Sequence, residues 1–158
     1  MPDATDDHRS HDREVRLLLV ANRTCPCPAL PGQVLQRIGD RSAEVLVVAP
    51  ALNSRLRHWV SDIDAAVHAA EQRMRATIDE LRRHGLNVRG HVGDADPITA
   101  IDDALVTFRA SQIMISTWPA GVSNWLEKDL PRRAAERFDV PIEHVVSAYD
   151  APVGALAA

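Results

Sequence analysis

Short apolar runs alternate along this chain with stretches in which apolar residues recur every three or four positions. Val15–Ala21 (VRLLLVA) is the first run, too short for a buried helix and apolar on both alternations, so it predicts a strand covered on both faces. Glu44–Ala49 (EVLVVA), closed by Pro50, and Gln112–Ser116 (QIMIS) read the same way. Asn87–Val92, interrupted at Gly90, and Ile142–Tyr149 complete five predicted strands. The clearest helical period is Ile63, Val67, Ala70, Met74, Ile78 and Leu81, which share one face. Ser61 with Asp64 three residues on resembles a capping box opening that helix. Arg82, Arg83 and His84 suit the negative end of its dipole, and Gly85 ends it. Asp96-Pro97 predicts a second capped start, followed by an apolar face of Ile98, Ile101, Leu105 and Phe108. Asp129, with Pro131 two residues later, predicts a third start, running to about Phe138 and broken by Val140-Pro141. Thr24–Gly32 (TCPCPALPG) reads as a proline-rich loop and Gln33–Ile38 as a short helix at most.

Strands alternating with helices predict an α/β fold: an open parallel sheet of five strands, with right-handed crossovers placing helices on both faces. In such sheets ligands sit beyond the carboxyl ends of the strands. That rule directs attention to Asn22 and Arg23, Pro50, Gly93 to Asp96, and Ser116 to Asn124.

Composition narrows the classes. With 158 residues, 46% of them apolar, the chain has room for one domain. The polar start, residues 1–14, is rich in charge and reads as a disordered tail with no secretory leader. Residues 15–149 form the domain, and residues 150–158 a flexible tail. No apolar run approaches the roughly 20 residues that a membrane helix needs, so no membrane partner is expected. The net charge is −4, and most of it lies in the first tail. A near-neutral body argues against nucleic acid, whose binding needs clustered Lys and Arg. Cys25 and Cys27 stand one residue apart, where a disulfide would close a tiny strained ring; this usage fits a reducing, cytoplasmic setting.

In order and spacing these elements resemble the universal stress protein family, from about Val15 to Tyr149. LLLVANRT ends the first strand, AEVLVVAP the second, and VGDADPITAI is similar to the family's Gly-Asp-Pro turn into a helix. The last block, ASQIMISTWPAGVSNWLEKDLPRRAAERFDVPIEHVV, has the family's strand, loop, helix, proline turn and final strand. The resemblance implies a sheet ordered 3-2-1-4-5, dimers that pair through the final strand, and a role in stress response by binding and signalling rather than turnover.

Many family members bind ATP or AMP through two glycines three residues apart, then nine residues, then glycine and a hydroxyl residue. That spacing puts Ser116, Pro119, Asp129 and Leu130 at those four positions, and Asn22 where an acidic residue lies near the base. A shorter loop puts Ser123 and Asn124 at the last two. Neither register restores the glycines. Pro119 has no N–H to offer a phosphate. In the longer register Leu130 has no hydroxyl, and the Asp129 carboxylate would stand against phosphate, costing about 4 kcal/mol for one like-charge pair at 4 Å and an effective dielectric near 20. As an N-cap, Asp129 would also occupy amides an anion needs. The pocket, built around Asn22, Gly93, Ser116, Thr117, Pro119, Ser123, Asn124, Asp129 and Leu130, is therefore expected to be degenerate, with no cofactor. Trp118 and Trp125 flank its loop, filling the nucleotide's volume or packing at a dimer contact, with stacking on a different flat ligand as the alternative.

Other chemistry is thin. Cys25 and Cys27 would supply two thiolates of the four ligands a tetrahedral site needs, and His8 and His11 lie in the tail. No metal site is expected. Asp94 and Asp96 are paired carboxylates at the ligand end, but Asp96 already has a capping role. His91 and His144 read as structural strand histidines. Ile142, Val145, Val146 and Tyr149 give the last strand an apolar edge suited to pairing with a second copy, making a homodimer; any further protein partner is unknown. The alternatives are an atypical ATP- or AMP-binding member with weak hydrolysis, and a small enzyme using Asp94, Asp96 or Cys25.

Overall fold

A computed structural model of the chain describes residues 14–21, 29–51, 61–117 and 129–146. Nine elements alternate: β1 (Val15–Ala21), α1 (Ala29–Ile38), β2 (Ala43–Pro50), α2 (Ser61–Arg83), β3 (Asn87–Gly93), α3 (Pro97–Thr107), β4 (Gln112–Thr117), α4 (Leu130–Arg137) and β5 (Ile142–Val146). All four strand pairs are parallel, and the order is β3-β2-β1-β4-β5. The expected fold class and strand order are those of the protein.

The register explains why the middle strands are apolar on both alternations. Leu17, Leu19 and Ala21 of β1 join Val45 and Val47, Met114 and Val145 in one cluster, closed by Leu30, Val34 and Ile38 of α1 and Ile78 and Leu81 of α2. Leu18 and Val20 join Leu46, Val48, Ile113 and Ile115 in a second, closed by Ala100, Ile101 and Ala104 of α3 and Leu130 and Ala134 of α4. Successive strand residues point to opposite faces, so one sheet separates two cores and the fold has three layers. Fully burying each of the Val, Leu, Ile and Met side chains contributes about 1.5–3 kcal/mol. At the amino ends of the strands, the Arg16 guanidinium lies 4.5 Å over the Phe108 ring, donates to Glu44 at 2.9 Å and to the Arg109 carbonyl at 2.9 Å.

Helix ends follow their sequence signals. Asp96 accepts from the Thr99 amide at 3.3 Å and its hydroxyl at 2.9 Å, with Pro97 in the first turn of α3. Gly85, at φ +82°, ends α2: its amide bonds to the Arg82 carbonyl and that of Leu86 to Leu81, the paired bonds of a Schellman motif. Two readings need correction. The helix expected to begin at Gln33 begins at Ala29, because Pro31 lies in its first turn, where a missing N–H costs nothing. Gly90 does not interrupt β3, which runs through it to Gly93. The tail at residues 1–13, Cys25, Cys27, the Ser61 side chain, Tyr149 and residues 150–158 lie outside the described residues.

Candidate functional site

Of the residues that sequence reasoning selected, Gly93, Ser116 and Thr117 lie at the carboxyl ends of β3 and β4. On β3, Gly93 is needed for packing: a Cβ there would stand 2.7 Å from the Ala100 Cβ and 2.9 Å from a Val48 methyl. Its carbonyl accepts from the Ala51 amide at 3.1 Å. The turn that follows ties up both candidate carboxylates, since Asp94 accepts from the Asp96 amide at 2.8 Å and Asp96 caps α3. Among the described residues no group of three or more His, Cys, Asp or Glu is placed to hold a metal. On β4, Ser116 and Thr117 are both buried. Thr117 Oγ1 and His144 Nε2, on the neighbouring strand, share a hydrogen bond of 2.6 Å whose direction follows the imidazole tautomer. Burial lowers the His144 pKa from its ordinary value, so the ring is neutral near pH 7.

At the start of α4, Asp129 occupies the N-cap position but does not cap. Its backbone is left-handed (φ 53°, ψ 45°) and its carboxylate bonds to Arg132 instead. Arg132 reaches on to Glu136 at 2.6 Å, and these two partners, Asp129 first, raise its pKa. The expected capping contact is therefore absent, and the carboxylate's charge is drawn toward a guanidinium. The helix then sinks Leu130 into the second core, 1% exposed. Pro131 removes one of the N-terminal amides an anion would use.

A second concavity, which sequence reasoning missed, runs between α1 and β5. It measures about 540 Å³ and is lined by Gln33, Gln36, Arg37 and residues 143–146. Arg37 Nε lies 2.6 Å from Gln112 Oε1 and 3.0 Å from Glu143 Oε2. Gln33 Oε1 is buried there, with no hydrogen-bond donor among the described residues. The strand alternation signals which residues of β5 share a face, but only the register shows that α1 lies beside them.

Comparison with solved structures settles the architecture. A universal stress protein family member from Burkholderia pseudomallei superposes with a TM-score of 0.59 at 12% identity, covering 84% of this chain and 96% of that one. The universal stress protein of Archaeoglobus fulgidus in complex with dAMP gives 0.58 at 15%, covering 83% and 96%. The chain has the universal stress protein fold. An Arabidopsis thaliana universal stress protein family protein with AMP bound is a third neighbour, at 0.52 and 12% identity, covering 86% and 94%. No family model and no curated relative matches the sequence. Of the positions that the universal stress protein resemblance selected, Gly93, Ser116, Thr117, Asp129 and Leu130 are placed above. Asn22, Trp118, Pro119, Ser123, Asn124 and Trp125 lie outside the described residues. Of the proposed pairing strand, Ile142, Val145 and Val146 are in β5, with Val145 turned into the first core and Val146 exposed. No helix among the described residues is long and apolar enough to cross a membrane.

Proposed function

We propose that this chain is a divergent universal stress protein, acting in the cytoplasm as a homodimer that binds and signals in stress response without a family-style ATP site. The observation that carries this reading is the start of α4. Where the family resemblance calls for glycine and a hydroxyl, Asp129 forms a charged chain with Arg132 and Glu136, and Leu130 is a core residue. A phosphate would meet carboxylates on the solvent side and a methyl surface beneath. The enzyme alternative loses support from Asp94 and Asp96, which serve the turn.

The second reading, an atypical nucleotide-binding member, is favoured by the dAMP and AMP in two of the fold neighbours. Titration with ATP and AMP, with and without Mg²⁺, separates the two, followed by tryptophan fluorescence (Trp118 and Trp125 flank the loop) and calorimetry. The proposal expects no saturable binding at millimolar nucleotide by a folded protein. Micromolar saturable binding would sink it, and a dependence on Mg²⁺ that Asp129→Asn abolishes would mark Asp129 as a metal-bridging residue.

A further inference from the structure

The groove between α1 and β5 holds two oxygen acceptors that the fold leaves unmatched. Gln33 Oε1, from the second turn of α1, and Glu143 Oε2, from β5, are both buried, and neither accepts a hydrogen bond among the described residues. At Glu143 the reason is the single proton on Arg37 Nε. That nitrogen stands 3.0 Å from the carboxylate oxygen, but its N–H is spent on Gln112 Oε1 at 2.6 Å. Charge is therefore balanced at Glu143, while its hydrogen-bonding capacity is not. A buried acceptor left without a donor costs more than a typical hydrogen bond returns. Two of them on one groove mark a place where donors are to be supplied from outside.

The groove has the size for this. It measures about 540 Å³, and Gln36, Arg37 and residues 144–146 complete its described lining. Cavities that bury small molecules run from about 300 to 1,000 Å³. None of Gly93, Ser116, Thr117, Asp129 or Leu130 is among these lining residues, so the space is separate from the positions where the family resemblance sets a nucleotide. The Glu143 side chain is 43% exposed, which leaves its carboxylate open to approach from the groove. Gln33 needs only a turn of its amide, whose terminal torsion is broad, to present its oxygen to the same space.

The two acceptors define the ligand's chemistry. It must bring N–H groups, and because one acceptor is a carboxylate, a cationic donor makes the stronger, charge-assisted bond. A guanidinium suits the pair better than an ammonium. Its five N–H groups lie in one plane and reach acceptors on two elements at once, and its weaker hydration lowers the cost of leaving water. Arg37 does not forbid a second cation at Glu143. At the amino ends of the strands this same chain seats two guanidiniums on one carboxylate, with Arg16 2.9 Å from Glu44 Oε2 and Arg89 3.1 Å from Glu44 Oε1. Glu143 has the first member of such a pair and lacks the second. We propose that the groove between α1 and β5 binds a small molecule bearing a guanidinium group, with the Glu143 carboxylate and the Gln33 amide oxygen as its acceptors.

Calorimetric titration of the full chain tests this with two probes. Agmatine carries a guanidinium at one end and an ammonium at the other; in putrescine an ammonium replaces the guanidinium. The expected result is saturable agmatine binding with a Kd at or below about 1 mM, several times tighter than putrescine. Glu143→Gln keeps the shape of the side chain, removes its charge and weakens agmatine at least about tenfold. Gln33→Leu weakens it severalfold and, because it deletes an unmatched acceptor, melts no lower than the wild type. Circular dichroism of both variants separates loss of binding from loss of fold. Agmatine that does not saturate, putrescine that binds equally well, or an affinity that either variant leaves unchanged overturns the proposal. A Gln33→Leu chain that stays folded but melts lower overturns it too, since the amide would then already have its donor.

Discussion

At Asp129 a side chain stands on a backbone that favours glycine. Left-handed φ and ψ cost an L-residue roughly 1–2 kcal/mol, less for aspartate, whose short polar side chain bonds locally. Here the bond goes to Arg132, on a fully exposed surface. Because the carboxylate makes no cap, Asp129→Gly loses little and relieves the backbone. Thermal melts should rank Gly above Asp above Ala, with Gly gaining up to about 1 kcal/mol, or about 2–4 °C in a chain of this length. Alanine as stable as glycine would mean that the turn is not left-handed in solution. Little of this was legible in the sequence. Asp-Leu-Pro is an ordinary helix start, and that reading gave Asp129 a capping bond it does not make. Whether a carboxylate turns to amides or to a guanidinium one turn ahead is decided by the backbone conformation, which residue types leave open. The Thr117–His144 bond was equally hidden, since it depends on how β4 and β5 are aligned.

Elements were far more legible, because their signals are local. VRLLLVA and QIMIS announce strands covered on both sides, and the period from Val67 to Leu81 announces α2. The failures came where a residue has two meanings. Pro31 reads as a breaker and in fact belongs to the opening turn of α1. Gly90 reads as an interruption, yet it lets α2 lie close on β3: an added Cβ would stand 2.7 Å from the Val47 carbonyl oxygen and 2.9 Å from side-chain carbons of both Ile78 and Met74. Ile78 meets it with the far end of a flexible side chain, but the Val47 oxygen is backbone and cannot move without the strand. Gly90→Ala should therefore destabilise by about 1–3 kcal/mol. In urea the midpoint should fall while the slope stays the same. An unchanged midpoint would mean that helix and strand separate at little cost.

For the molecule as a whole, the sheet makes two cores of one domain. Ile78 belongs to the core under α1 and α2, and Ile101 to the core under α3 and α4. Trimming each to valine removes one methylene and should cost about 0.5–1.5 kcal/mol. With no shared partner across the sheet, the double variant should equal the sum within about 0.5 kcal/mol. A larger discrepancy in chemical unfolding would show that the cores are coupled through the strands. The strand order has a further consequence. β1 lies at the middle of the sheet, yet its neighbour β4 comes late: Arg16 meets Ser111, 95 residues along. On the ribosome, β1, β2 and β3 are synthesised long before β4, so the emerging chain carries an apolar strand with one side open. Until Thr117 has cleared the exit tunnel that side is adhesive to other nascent chains, and its protection falls to chaperones and to the pace of translation.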